Sequence, residues 1–143
     1  MRYDKFTLKA QEALQEADSI AHEYNHQGIN IPHFLKALME QDEGVIPPLL
    51  DRLGADRHKI SAELDEVLRS LPKVYGSNAQ VSIAPELSSA LNAASKEAEK
   101  LKDDFVSTEH IFLTILKTKT AAADILKQNG ITRDGILTAM QSI

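Results

Sequence analysis

Apolar residues recur at steps of three and four along most of this chain, the spacing of one face of an α-helix. Between Thr7 and Asn25 they are Ala10, Ala13, Leu14, Ala17, Ala21 and Tyr24, while Gln11, Gln15, Asp18 and His22 mark the opposite, polar face. Thr7 is placed to cap this helix, because its hydroxyl can accept a bond from a free amide of the first turn. So many alanines on the buried side predict a second helix packed very close. Gln27-Gly28 ends the element. A short second helix is expected from Pro32 to Gln41 with Ile31 at the cap position, since proline's fixed φ and missing N–H suit a first turn. A third, over 45–53, must hold Pro47-Pro48 in its first turn. Gly54 then stops it, and Asp56 caps a fourth helix carrying Ile60, Leu64 and Leu68 as far as Leu71-Pro72. Residues 73–83 (KVYGSNAQVSI) show no helical period, contain Gly76-Ser77-Asn78, and read as a linker.

The remainder repeats the plan. Pro85 opens a helix with Leu87, Ala90, Leu91, Ala94, Ala98 and Leu101 inward. Thr108 is the expected cap of the next, with Glu109 in a first turn where the helix dipole favours a carboxylate. A third follows over Ala121–Asn129 up to Gly130, and a fourth over Thr132–Ser142. The stretch 105–116, FVSTEHIFLTIL, has its echo 77 residues earlier in GINIPHFLKALM. At that offset His33 falls on His110, Ile29 on Val106, Leu38 on Ile115 and Met39 on Leu116. Upstream, Ala13, Leu14, Ala17 and Ala21 fall on Ala90, Leu91, Ala94 and Ala98. Downstream the register slips by one, pairing Leu50 with Leu126, Gly54 with Gly130, Arg57 with Arg133 and Ile60 with Ile136. The expected fold is therefore all-α: two tandem four-helix repeats, about eight helices, related by a pseudo-two-fold axis. Repeat one spans about 1–72, the linker 73–83 and repeat two 84–143, within one domain. A groove where such halves meet is the natural place for a ligand.

Composition narrows the function. The 143 residues are 43% hydrophobic and 26% charged, as in a globular protein, and they include no cysteine. Disulfides and thiolate metal sites are thereby excluded, in keeping with a reducing compartment. Met1–Lys5 lacks the apolar core of a signal peptide, and no run approaches the roughly 20 apolar residues of a membrane span. A cytoplasmic protein without a membrane partner is expected. The net charge of −5 comes without a basic stripe, which argues against nucleic acid.

One motif looks catalytic. His22-Glu23-Tyr24-Asn25-His26 matches H-E-x-x-H, in which two histidines on one helical face hold zinc and the glutamate deprotonates its bound water. Against it, His22 continues the polar stripe, so both histidines are expected to face water, and the motif ends at the Gln-Gly break. Ile29 and Pro32 also stand where the extended pattern needs glycine and a third histidine. Neither a metal nor any other cofactor is expected in this chain, and no catalytic residue. His33 and His110, at equivalent positions, are read as structural groups near a helix start, and His58 as exposed. All six glycines stand singly, so no phosphate loop is present and the chain cannot hydrolyse ATP.

Thr108-Glu109-His110-Ile111-Phe112-Leu113 and the opening Asp4–Leu14 (DKFTLKAQEAL) closely resemble the signatures of the Clp repeat domain, the N-terminal domain of Clp AAA+ chaperones and unfoldases. Leu71-Pro72-Lys73-Val74-x-Gly76 resembles the mid-domain linker of the ClpB-type disaggregase branch. The resemblance spans essentially the whole chain. It implies a non-catalytic accessory domain that binds unfolded or aggregated polypeptide weakly and passes it to an ATPase ring, expected as a hexamer that uses ATP and Mg. It also implies that the chain is a fragment ending before a flexible linker. Docking of an adaptor protein is the alternative, and a zinc peptidase through His22, Glu23 and His26 a remote one. Thr7, Asp103 and Glu109 match positions that the disaggregase branch uses for aggregates. Leu8, Leu87 and Phe105 are the apolar residues expected to line the groove. ClpC-type relatives read phosphorylated arginine through an acidic pair, and here Pro32 replaces the first member and leaves Glu109 alone, so that reading is not expected.

Overall fold

The computed structural model describes residues 4–76 and 80–141, which carry eight helices. The first four are α1 (Leu8–Glu23), α2 (Ile31–Glu40), α3 (Ile46–Arg52) and α4 (Arg57–Ser70). The second four are α5 (Pro85–Lys100), α6 (Thr108–Leu116), α7 (Ala121–Gln128) and α8 (Arg133–Gln141). The expected all-α architecture of repeated helices is what the chain builds. Ser77, Asn78 and Ser142, named above in the linker and the last helix, lie outside the described residues.

The alanine faces explain the closest packing. Ala10, Ala13, Ala17 and Ala21 on α1, and Ala90, Ala94 and Ala98 on α5, are all buried. With only a methyl group in the way, α1 lies against α2 and α5 against α6. Helix α6 is apolar nearly all round: every residue from His110 to Leu116 is buried, the mark of a helix enclosed by its neighbours. The repeats also interlock, since α4 packs on α7 and α3 on α8. Gly54 and Gly130 end α3 and α7 at φ of 74° and 82°, a conformation that costs a residue with a Cβ. No atom lies within 4 Å of an added Cβ at Gly54. Gly54→Ala is therefore expected to cost about 1 kcal/mol by backbone strain alone, measurable as a lowered urea midpoint with an unchanged m-value.

Caps and ends correct several expectations. The caps are Asn30 and Ser107, not Ile31 and Thr108, which are the first residues of their helices. Asn30 and Ser107 are 77 positions apart, so both caps shift together: a polar side chain is needed there and Ile31 has none. Pro32 accordingly sits second in α2. Leu101 is exposed, because α5 stops at Lys100 and Leu101 falls beyond the buried face. Glu97 on α5, in contrast, is buried and receives hydrogen bonds from Arg133 and, at 3.5 Å, from Lys117 Nζ. Burial pushes its carboxyl up, but Arg133 and Lys117 outweigh that and hold it below the usual carboxylate range.

Two short parallel pairings join the repeats and were invisible to helical periodicity. Gly28–Ile29 (β1) pairs with Ser82–Ile83 (β2), and Phe6 forms a bridge with Val106. Phe6 and Ile83 are 77 apart, as are Ile29 and Val106. The hydrogen bonds correspond as well: Thr7 N–H donates to Val106 O at 2.9 Å, and Ala84 N–H to Ile29 O at 2.9 Å. The segment leading into each repeat is thus clasped by the loop before the second helix of the other.

Candidate functional site

Three of the residues singled out from sequence, Thr7, Leu8 and Phe105, stand at the first of these clasps, the Phe6–Val106 pairing. Phe6 and Val106 point inward, with 4% and 3% exposure, so the alternation of extended chain turns their neighbours Thr7 and Phe105 outward. Phe105 is 56% exposed and Leu8, in the first turn of α1, 72%. These are large apolar side chains in water on either side of one pairing. Thr7 accepts from Ala10 N–H at 3.2 Å and caps α1 as expected. Leu87 does not belong with them: it is fully buried, because its place in the first turn of α5 faces the core. The expected lining residue is a core residue.

Asp103 and Glu109 bracket the same loop. Lys102, at φ 60°, turns the chain after α5, and Asp103 Oδ2 then lies 2.8 Å from His110 Nε2. His110 Nδ1 accepts Ser107 N–H at 2.8 Å in a capping box, which fixes the ring as the Nε2–H tautomer donating to Asp103. The structural reading of His110 at a helix start is what the geometry shows. Glu109 is half-buried in the first turn of α6 and accepts from Thr108 Oγ1 at 3.1 Å. Asp103 also faces a cavity of about 500 Å³, whose walls carry the carboxylates of Asp4, Glu99 and Asp104 and the ammonium of Lys5. The sequence reading gave Asp4, Glu99 and Asp104 no site role, since scattered acids carry no periodic signal and read as solvated charges. Clefts also lie between the two repeats. One of about 370 Å³ lies between Ile31 and the Pro85–Ser89 and Thr118–Thr120 segments, and another of about 350 Å³ between α3 and α8.

Pseudo-symmetry supplies an internal comparison. At the second clasp, Thr7, Leu8, Asp103, Phe105 and Glu109 are answered by Ala84, Pro85, His26, Gly28 and Pro32. None of these five is a large apolar residue or a carboxylate. The backbone is duplicated, whereas the side chains at these five positions are not.

The H-E-x-x-H stretch does not form the helical face that its chemistry requires. Helix α1 ends at Glu23, and Asn25 takes φ 59°, so His26 is no longer on the helix. His22 is exposed beside Asp18, with 3.2 Å between Nε2 and Oδ1. His26 is buried instead of facing water: its Nδ1 lies 2.7 Å from His33 Nε2, and its ring stacks on Tyr24 at 5.4 Å. Among the described residues no group of three or more His, Asp or Glu side chains could hold a metal ion. His58 is exposed. No helix among the described residues is long and apolar enough to cross a membrane.

Known proteins are similar to this chain. The chaperone ClpB of Porphyromonas gingivalis is 34% identical over 143 residues, all of this chain and 16% of that protein. ClpB of Vibrio cholerae is 35% identical over 143 residues, 17% of its length. The chain thus spans about a sixth of the curated relatives it matches. In three dimensions it is similar to the N-terminal domain of Hsp104 from Candida albicans, with a TM-score of 0.82 and 22% identity over 95% of this chain and 89% of that one. The N-terminal domain of ClpD from Arabidopsis thaliana follows it with a TM-score of 0.70 and 16% identity, covering 99% and 98% of the two chains. The model of the Clp repeat (R) N-terminal domain matches residues 5–129, from the first clasp to the end of α7, and with the duplicated caps and clasps this places the chain in the family of Clp repeat N-terminal domains.

Proposed function

We propose that this chain is the substrate-recognition domain of a ClpB-like AAA+ disaggregase, binding exposed apolar segments of unfolded or aggregated polypeptide at the first clasp. The observation that carries this reading is the pairing of Leu8 and Phe105, exposed large apolar residues beside a rigid main-chain contact. Apolar area supplies the attraction, and an area this small keeps binding weak and reversible, as handover to a ring requires. The acid-lined cavity beside it favours segments with a basic residue near the apolar one. Thr7 and Asp103 serve this surface while capping α1 and bracing His110, and Glu109 adds charge at its edge. ATP hydrolysis belongs to the ring of the parent protein, and the domain contributes capture alone.

A second reading, adaptor docking, draws on a neighbouring structure that is a ClpV N-domain in complex with a VipB peptide, with a TM-score of 0.72 and 18% identity. An NMR titration of the labelled chain separates the two. A permanently unfolded polypeptide is expected to shift resonances around Leu8 and Phe105, and its folded form to leave them in place. The double substitution Leu8→Ser, Phe105→Ser is expected to weaken that binding about tenfold or more at unchanged stability. If millimolar unfolded polypeptide shifts nothing, capture is wrong and adaptor docking takes its place.

A further inference from the structure

We propose that the buried imidazoles of His26 and His33 form an acid-sensitive latch that ties the inter-repeat linker to the first repeat and opens when either ring takes a second proton. The argument starts from the donors. Asn30 N–H points at His33 Nδ1 over 2.9 Å, so that nitrogen is an acceptor and the ring proton sits on Nε2. His33 Nε2–H then donates across 2.7 Å to His26 Nδ1, which leaves the His26 proton on its own Nε2. That atom is buried, with the Leu68 carbonyl as the backbone acceptor beside it. Both tautomers are fixed by one backbone amide, and the pair has no free acceptor for another proton. A proton on His33 Nδ1 would face the Asn30 N–H and break the cap of α2. A proton on His26 Nδ1 would face the His33 N–H.

The Leu68 carbonyl favours a charged His26, and the rest of the surroundings outweigh it. From the linker, Lys73 Nζ lies 5.3 Å above the Tyr24 ring, which stacks on His26, and donates to Tyr24 O at 3.2 Å. From α1, His22 is exposed and engaged with Asp18. From α4, Arg69 is engaged with Glu66. From α5, Glu86 is engaged with the Asn30 side chain at 2.9 Å. Burial and Lys73 both lower the His26 pKa, and burial with His26 lowers that of His33 to about 4. The same turn holds the linker through Val74 N–H to Asn25 O at 2.8 Å and Ser82 N–H to Gln27 O at 3.1 Å. In repeat two the place of His26 is taken by Asp103, a carboxylate that accepts from His110 Nε2 at 2.8 Å, so no second imidazole stands there. The latch is therefore confined to repeat one.

The sign follows from linkage. Above about pH 6.5 neither state of His33 holds the extra proton, and between about 6.5 and about 4 only the opened state does, so acid favours opening. Amide hydrogen exchange of the 143-residue chain tests this, with rates corrected for their intrinsic pH dependence. Between pH 7 and pH 4, protection at Val74, Ser82 and Phe34 is expected to fall at least tenfold, while Thr7, Asp103 and Ile111 in the first clasp and the second repeat keep theirs. Equal loss in both repeats, or loss in neither, overturns the latch. His26→Asp, which copies the repeat-two arrangement, is expected to retain the protection at Val74 down to pH 4, and a variant that loses it as the parent does also overturns the idea. Should that variant not fold, the parent still decides. The imidazole titration of His26 and His33 and the shift of the Val74 amide must share a midpoint, and separate midpoints refute the coupling.

Discussion

Phe112→Ala is expected to cost about 4 kcal/mol and to lower the Tm by roughly 10–15 °C. Phe105→Ala, seven residues earlier, is expected to cost less than about 0.5 kcal/mol. Phe112 is fully buried in the centre of α6, where truncation removes apolar area from contact and leaves a cavity that the enclosing helices cannot collapse into. Phe105 is 56% exposed on the outer side of the first clasp, so truncation removes surface that was already in water. Binding should invert the order. Phe105→Ala weakens capture of unfolded polypeptide, and Phe112→Ala, measured well below its Tm, leaves the clasp surface intact. Thermal unfolding and a peptide titration on the same two variants check both halves. Equal stability losses would mean that Phe105 belongs to the core and is not a recognition residue.

Arg133→Met should destabilise by about 3 kcal/mol, roughly 10 °C in Tm, whereas Glu97→Met should be close to neutral. The asymmetry comes from which group can return to water. Glu97 is buried, and without Arg133 its charge keeps only Lys117 at 3.5 Å. Arg133 is 37% exposed and can turn outward when Glu97 is gone. A methionine at position 97 fills similar volume without charge, and the repeat-related position already holds an apolar residue, Ile20. Urea unfolding of both variants is the measurement. If the two lose equal stability, the pair acts as an exposed one. The penalty of Arg133→Met should also shrink as pH falls toward the carboxylate range, since protonation removes the stranded charge.

How much of this was legible in the sequence depends on the range of the interactions involved. The helices, their glycine stops and the duplication follow from spacing alone, because a 3.6-residue period and a left-handed glycine are local properties. Thr7 as a cap and His33 and His110 as groups at helix starts belong to the same local class. The cap at 30 and 107 was one step away: the 77-residue register lines up Asn30 with Ser107, two polar residues ahead of each helix.

Other features were settled only when distant segments met. Helical periodicity places Leu87 and Leu8 alike at helix starts, yet Leu87 is buried and Leu8 is 72% exposed, because the core covers one and not the other. The H-E-x-x-H spacing presumes a helix that continues, and a single left-handed residue at Asn25 carries His26 off it and onto His33. The sequence by itself determined that this chain is a duplicated helical unit with matching caps and stops, since those are written within each repeat. Only the tertiary structure decided that each repeat grips the entry strand of the other, and that exposed Leu8 and Phe105 and a group of carboxylates gather at the first clasp. Pairing across 100 residues, from Phe6 to Val106, is set by which surfaces the closed core leaves free.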